Sequence, residues 1–139
     1  MTTREQAIAA IVDRLAAVGT FTIARNETAP AAVGDGGHVV VRDGEREVVD
    51  QTLGVTSYWI NHRVSIEAVA GGGDPDGTLD ALLQSIEQVL AADRQLAPGV
   101  TYVECDLADI ETLSADGAEA FKAALLDIVI EYETAHSLD

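Results

Sequence analysis

The strongest constraint on the fold is a stretch of two-residue alternation in the middle of the chain, residues 57–69. Because the side chains of a β-strand point alternately to its two faces, this period predicts one long strand with a buried face and a wetter face. The residues expected on the buried face are Tyr58, Ile60, His62, Val64, Ile66 and Ala68. Those expected on the wetter face are Trp59, Asn61, Arg63, Ser65, Glu67 and Val69.

Two segments with helical spacing flank this strand. Apolar residues recur every three or four positions in residues 3–18 and again in residues 78–92, which predicts two amphipathic helices. Thr2 and Glu5 fit a capping box at the start of the first helix, and Gly19 fits a left-handed cap at its end.

Shorter apolar runs predict further strands, at residues 20–25, 38–42, 45–49, 100–105 and 122–134. Asp43 and Gly44 separate two of these runs, and this dipeptide favours the type I′ turn of a two-residue β-hairpin. We therefore expect a short hairpin that protrudes at this point. The expected irregular segments are a loop at 26–36, an acidic stretch at 106–117 with a helical turn around 110–113, and a tail at 136–139.

This order of elements indicates an α+β fold in one domain, residues 1–139. The expected architecture is a mostly antiparallel sheet of about five to six strands with two helices packed on one face. A chain of 139 residues buries roughly two thirds of the surface that its unfolded form exposes, so it needs no disulfide or metal to hold together.

The charge of the chain is acidic and unevenly distributed. Twenty-four acidic residues against eight basic residues give a net charge of −16 at pH 7. Residues 1–70 carry nine acids and six bases, whereas residues 71–139 carry fifteen acids and two bases. Because proteins hold nucleic acids by neutralising phosphates with lysine and arginine, this balance argues against direct binding of DNA, RNA or an anionic membrane surface. With no signal-peptide pattern and no long apolar run, we expect a cytosolic protein.

None of the familiar catalytic or metal-binding patterns is complete. The loop at residues 71–77 follows a strand and precedes a helix, but Asp76 stands where the dinucleotide pattern has glycine, and the calcium-loop spacing is absent. His62 is expected to be a hydrogen-bonded core residue, and Cys105 has only carboxylates near it in sequence, which disfavours a thiolate. We therefore predict no catalytic residue, no cofactor and no metal site.

Several short motifs, taken in order, resemble a known family. The first are Arg25-Asn26-Glu27-Thr28-x-Pro30 and Gly37-His38-Val39-Val40-Val41, which leads into Asp43-Gly44. The later ones are Ser65-Ile66-Glu67-Ala68, Ala92-Asp93-Arg94-Gln95-Leu96 and Ile130-Glu131-Tyr132-Glu133-Thr134. Over nearly the whole chain, their order and spacing resemble the small tail terminator proteins (tail-completion or minor tail proteins) of long-tailed phages and phage-derived gene transfer particles.

The resemblance implies a subunit of a homo-oligomeric, hexameric ring at the head-proximal end of a tail tube. Such a ring stops tube polymerisation, so the implied partners are other copies of the chain, the tail tube protein and the head connector or stopper protein. DNA would pass through the ring without specific binding. The implied location is the bacterial cytoplasm during assembly, and then the neck or tail of a virion or virus-like particle. The family has no catalytic residues to carry over.

A ring needs head-to-tail interfaces that close by rotation, and strand edges or a protruding hairpin provide them. The acidic half of the chain suits a ring lining that DNA must pass, because acidic walls repel phosphate, although solubility alone also accounts for the charge. The long strands at 57–69 and 122–134 are expected at the interfaces. The interface candidates are Arg42, Asp43, Gly44, Glu45, Arg46 and Glu47 of the hairpin, with Trp59 and Arg63 of the long strand.

Two alternatives remain open at the level of sequence. A head-completion or stopper protein of the same neck would share most of these features. A small acidic ligand-binding domain or enzyme would instead use the loop at residues 71–77. Trp59, the only tryptophan, fits either an exposed interface position or packing beneath a helix.

Overall fold

The computed structural model describes residues 1–27, 35–52, 57–113 and 121–139, which contain two helices and six strands. In chain order the elements are α1 (Thr3–Ala16), β1 (Thr22–Arg25), β2 (His38–Gln51), β3 (Tyr58–Ala70), α2 (Pro75–Ala92), β4 (Gln95–Ala97), β5 (Val100–Leu113) and β6 (Phe121–Thr134). Within the described ranges, neither helix combines the length and the apolar content that a membrane crossing requires.

The six strands form one sheet in the order β1-β2-β3-β6-β5-β4. β1 joins β2 in parallel, and the four other pairings are antiparallel. The long strands β2, β3, β6 and β5 make the body of the sheet, and the short strands β1 and β4 flank it. The α+β prediction is confirmed, but the sheet is mixed because its first strand pairs in parallel.

Both helices contribute to one core with the same face of the sheet. α1 starts where the Thr2 side chain accepts the N–H of Glu5, and α2 starts where Asp74 accepts the N–H of Gly77. α1 also lies against both flanking strands, β1 and β4, so the sheet curls around it. The core includes Ile8, Ile11 and Leu15 of α1, Leu82, Ile86 and Leu90 of α2, and Val39, Val41, Ile60, Val64, Ile66, Leu126, Ile128, Ile130 and Tyr132 of the sheet.

The predicted hairpin at Asp43 and Gly44 is wrong. β2 runs through this dipeptide without a turn and pairs with β3 on both sides of it. The register shifts between Arg42 and Glu45, which makes the dipeptide a β-bulge, and Gly44 has a φ of 70°, a conformation that glycine favours. The interface candidates at residues 42–47 therefore lie along the length of β2 and not at a protruding tip.

The acidic segment after Cys105 is regular, contrary to the predicted irregular stretch and its helical turn. β5 continues to Leu113 and pairs with β6 to that end, while residues 114–117 of the prediction lie outside the described residues. The register shifts between Tyr102 and Glu104 and again between Leu107 and Asp109. Each shift reverses the alternation of faces, so the sequence shows no period of two here.

Smaller differences concern element ends. α1 ends two residues earlier than predicted, and α2 begins three residues earlier because Asp74 caps it and Pro75 suits a first helical turn. The short strand β4 was not predicted. Most of the predicted loop at 26–36 lies outside the described residues.

The tail after β6 is fastened to the start of α1. The Asp139 carboxylate accepts hydrogen bonds from the main-chain N–H of Thr3 at 3.1 Å, the Thr3 hydroxyl at 2.9 Å and the Thr134 hydroxyl at 2.6 Å. Arg46 of β2 donates to the main-chain oxygens of Ser137 and Asp139. A carboxylate at the N-terminus of a helix is stabilising, so these contacts hold the first turn of α1, the tail and β2 together.

Candidate functional site

The sheet face turned away from the helices, here called the outer face, is strongly acidic. Residues that pair across neighbouring strands share a face, and the pairings of the described strands place eleven acids and two arginines on this one. The arginines are Arg42 and Arg63. The acids are Glu45, Glu47 and Asp50 of β2, Glu67 of β3, Asp127, Glu131 and Glu133 of β6, and Glu104, Asp106, Asp109 and Glu111 of β5.

Both arginines of the outer face are already paired within the subunit. Arg63 Nη1 lies 2.8 Å from Asp106 Oδ2 and 3.7 Å from Asp127 Oδ2, two carboxylates that stand directly opposite each other on β5 and β6. Arg42 Nη1 lies 3.3 Å from Glu67 Oε2. Because these cations are neutralised locally, the face presents a net negative field to its surroundings.

Replacing Arg63 with glutamine is expected to lower the melting temperature by a few degrees at low salt. The change leaves Asp106 and Asp127 facing each other without a cation, and like charges directly opposite in a sheet repel. Salt screens exposed charges, so the deficit should shrink at about 1 M NaCl. The control is Lys122→Gln, which removes a pair with the exposed Asp76. Equal losses at both salt concentrations would contradict this account.

Two stretches of strand edge are open. In the part of the chain that the structure describes, β1 pairs with the first four residues of β2, and β4 pairs with the first residues of β5. Among the described residues, no strand pairs with the outer side of residues 45–51, here called the β2 edge, or of residues 104–113, here called the β5 edge. An open edge presents unpaired main-chain donors and acceptors, so each is a template for another strand.

The two edges share two further features. Each exposes apolar side chains, Val48 and Val49 on the β2 edge and Leu107 and Ile110 on the β5 edge. On each edge, an aspartate also accepts the N–H of the next residue: Asp50 takes that of Gln51 at 2.8 Å, and Asp109 takes that of Ile110 at 2.9 Å. Acidic side chains thus occupy edge donors that a partner strand would use.

The predicted interface residues fall into two groups. One group lies on the outer face and consists of the half-buried Arg42 and the exposed Glu45, Glu47, Trp59 and Arg63. Trp59 is 43% exposed there, so it does not pack beneath a helix. Asp43, Gly44 and Arg46 serve the subunit itself: Asp43 pairs with Arg25, Gly44 forms the bulge, and Arg46 holds the tail. The β5 edge was missed, because its bulges hide the strand.

His62 is a buried residue of the core face, as expected. One of its ring nitrogens, Nε2, contacts the main-chain oxygen of Asp43, whereas Nδ1 has no hydrogen-bond partner in the described residues. Burial lowers the pKa of His62, and the nearby Arg4 and Arg46 act in the same direction, outweighing the contact with Asp43. The imidazole is therefore held neutral under the bulge.

Acidification is expected to destabilise the protein through His62. In the unfolded chain His62 takes up a proton near pH 6.5, whereas in the folded protein it does so only at a lower pH. The free energy of unfolding therefore decreases as the pH falls below about 6.5. His62→Gln should show a shallower loss between about pH 7.5 and pH 5.5 in urea unfolding. His136→Gln, at an exposed position, should behave like the parent protein. Identical slopes for all three proteins would refute the role of His62.

The loop at residues 71–77 is used in structural contacts. Asp74 caps α2 through the N–H of Gly77 at 3.1 Å, and Asp76 lies 2.6 Å from Lys122 Nζ. An open cleft of about 380 Å³ lies beside it, lined by Phe21, Asp35, Asp74 and Thr78 among others.

Cys105 is half-buried, its pKa is raised by burial, and it accepts a hydrogen bond from the Tyr102 hydroxyl at 3.3 Å. The contacts of Asp74, Asp76 and Cys105 thus give these three side chains structural roles.

Comparison with known proteins yields a likeness of fold. No family model and no curated protein matches the chain. A chain of a solved structure described as "Virion of native gene transfer agent (GTA) particle" superposes with a TM-score of 0.50 at 17% sequence identity. The match covers 89% of the present chain and 93% of that chain. The two chains therefore share a fold over nearly their whole lengths.

Proposed function

We propose that the protein is a structural component of a phage-like particle: a tail terminator that forms a ring at the head-proximal end of the tail tube. There it ends tube polymerisation and joins the tail to the head connector, and it catalyses no reaction. The observation that carries this proposal is the fold shared with a chain of a gene transfer agent virion, over 89% of the present chain. The order of the sequence motifs supplies the choice of tail terminator.

The two open edges support a ring. They lie on opposite sides of the sheet, on β2 and on β5, so one copy can offer a different edge to each of its two neighbours. Interfaces of this head-to-tail kind build rings when the rotation between copies closes. The family resemblance sets the expected number of copies at six.

The outer face supports a passage for DNA. Its eleven acids and two locally paired arginines give a surface that repels phosphate. In a ring with the helices outside, this face lines the bore, and DNA moves through it without being gripped.

Tube assembly in vitro tests the proposal. The tail tube protein of the same particle is polymerised with increasing amounts of this protein, and tube ends and lengths are scored by electron microscopy. We expect shorter tubes with a ring-shaped density at one end only. Tubes of unchanged length with bare ends would overturn the tail terminator role. Binding to the head connector without binding to tubes would indicate a head-completion or stopper protein instead.

A further inference from the structure

The ring of the proposed function needs a contact between copies, and we propose that this contact is strand pairing between the β2 edge of one copy and the β5 edge of the next. The pairing would continue the sheet from subunit to subunit. We further propose that the acids along both edges oppose it, so that association strengthens as salt rises. This inference rests on the proposed ring and names the surface that builds it.

The directions of the strands fit antiparallel pairing. Three successive antiparallel steps lead from β2 through β3 and β6 to β5, so β2 and β5 run in opposite directions. Copies arranged with the same orientation around an axis therefore bring an antiparallel pair of edges together. The β2 edge has seven residues and the β5 edge has ten, which is enough for a continuous ladder.

The positions of the edges fit a closed ring of tilted strands. Val48 lies level with Tyr132 of β6, and Asp109 lies level with Leu125, so the middles of the two edges are seven residues apart along the strands. Along the strand direction, this offset is about 23 Å. Across the strands, the step from β2 of one copy to β2 of the next spans four strand spacings, or about 19 Å. The two distances together correspond to a strand tilt of roughly 50° from the ring axis. Strands of closed barrels tilt by about 35–45°, a similar value.

The side chains brought together by this pairing favour the contact on the helix side of the sheet and oppose it on the outer face. On the helix side, Val48 of one copy would meet Leu107 and Ile110 of the next, and all three are exposed in the single subunit. On the outer face, acids would stand opposite acids. The acids concerned are Glu45, Glu47 and Asp50 of the β2 edge with Asp106, Asp109 and Glu111 of the β5 edge.

Salt therefore changes the balance in favour of the ring. Burial of the apolar side chains favours pairing at any ionic strength, while the repulsion between the acidic rows falls as ions screen it. Asp50 and Asp109 add to the barrier, because each must release a main-chain N–H before a partner strand can take it. The sign is the reverse of that for an interface between opposite charges, which salt weakens.

Proline variants at bulge positions test the edges one at a time. Val49 has no register partner on β3 and Ala108 has none on β6, and bulges are among the few positions where a sheet accepts proline. Val49→Pro blocks the β2 edge and Ala108→Pro blocks the β5 edge. Val49→Thr and Ala108→Ser, which keep the N–H, are the matched controls. Thermal unfolding verifies that each variant is folded.

Light scattering after size exclusion gives the readout, at about 50 mM and about 1 M NaCl. We expect the parent protein and both controls to be mainly monomeric at low salt and to form one closed oligomer at high salt. Each proline variant alone should stay monomeric. An equimolar mixture of the two should give a complex with one copy of each, because only one pair of intact edges remains.

Several outcomes would overturn the edge contact. They are a parent protein that stays monomeric at high salt, a proline variant that forms the parent oligomer, a mixture without the paired complex, and association that weakens with salt. Tube assembly separates this failure from that of the proposed function. If Val49→Pro caps tubes as the parent does, the edge contact is wrong and the function stands. If the edges pair in solution but tubes stay bare, the function is wrong.

Discussion

Replacing Gly44 with alanine is expected to lower the free energy of unfolding by about 2–5 kcal/mol, the sum of the cost of a left-handed alanine and that of overpacking. Gly44 has a φ of 70°, and a Cβ there would lie 1.8 Å from the main-chain oxygen of Arg63 and 2.9 Å from its carbonyl carbon. Neither atom can move without displacing β3 in the middle of the sheet. Urea unfolding followed by circular dichroism measures the loss.

Gly99→Ala is the matched control for this prediction. Gly99 has a φ of 76°, but a Cβ there would meet no atom within 4 Å. Its replacement should therefore cost only the left-handed conformation, about 1–2 kcal/mol. The difference between the two variants isolates the contact with Arg63. Equal losses would show that the bulge can relax and that Gly44 is needed for its backbone angle alone.

Replacing Arg25 with alanine is expected to lower the free energy of unfolding by about 2 kcal/mol. Several buried hydrogen bonds to a charged group would contribute more, but the Arg25 side chain is partly exposed and solvent weakens its contacts. Arg25 joins three elements: from β1 it reaches Glu5 of α1 with two hydrogen bonds, of 2.5 and 2.7 Å, and Asp43 of β2 at 2.9 Å. Its removal leaves two carboxylates close together. Arg25→Lys should restore only part of the loss, because an ammonium group cannot make the paired contact with Glu5.

The same variant has a pH signature on the acid side. A hydrogen bond from Arg25 lowers the pKa of Glu5, and for Asp43 burial raises the pKa but the hydrogen bond and charge of Arg25 outweigh it. Carboxylates with lowered pKa contribute stability above their unfolded pKa, and this contribution is lost as the pH falls below about 4.5. Arg25→Ala should therefore lose less stability than the parent between about pH 6 and pH 3. An unchanged slope would contradict the assignment.

The sequence predicts the fold well where the periodicity is uninterrupted. The alternation at residues 57–69 correctly identifies five buried residues of β3, from Ile60 to Ala68, whereas Tyr58 is half-buried and Val69, expected on the wetter face, is buried. The helical spacing locates α1 and α2 to within three residues at either end. Both large errors fall at β-bulges. At Asp43 and Gly44 the bulge has the composition of a hairpin turn, and at Ala108 it reverses the alternation of faces in an acidic segment.

The candidate site was less accessible to sequence reasoning, because it depends on pairing between distant strands. Asp106 and Asp127 become neighbours of Arg63 only when β3, β6 and β5 align, and nothing local specifies that alignment. The open edges depend on how far β1 and β4 extend along their partners. Exposure of Trp59 and Arg63 could be expected from alternation, whereas the internal role of Arg46 could not, because its partners are the last residues of the chain.

The hydrogen bonds between Thr3 and Asp139 have a consequence for the connectivity of the chain. They hold Thr3 and Asp139 within about 3 Å of each other, so a short glycine-rich linker can connect these two segments. New termini could then be opened at the exposed turn of Pro98 and Gly99, between β4 and β5. Such a circular permutant would keep every element in place while moving the attachment point for a reporter to the turn between β4 and β5.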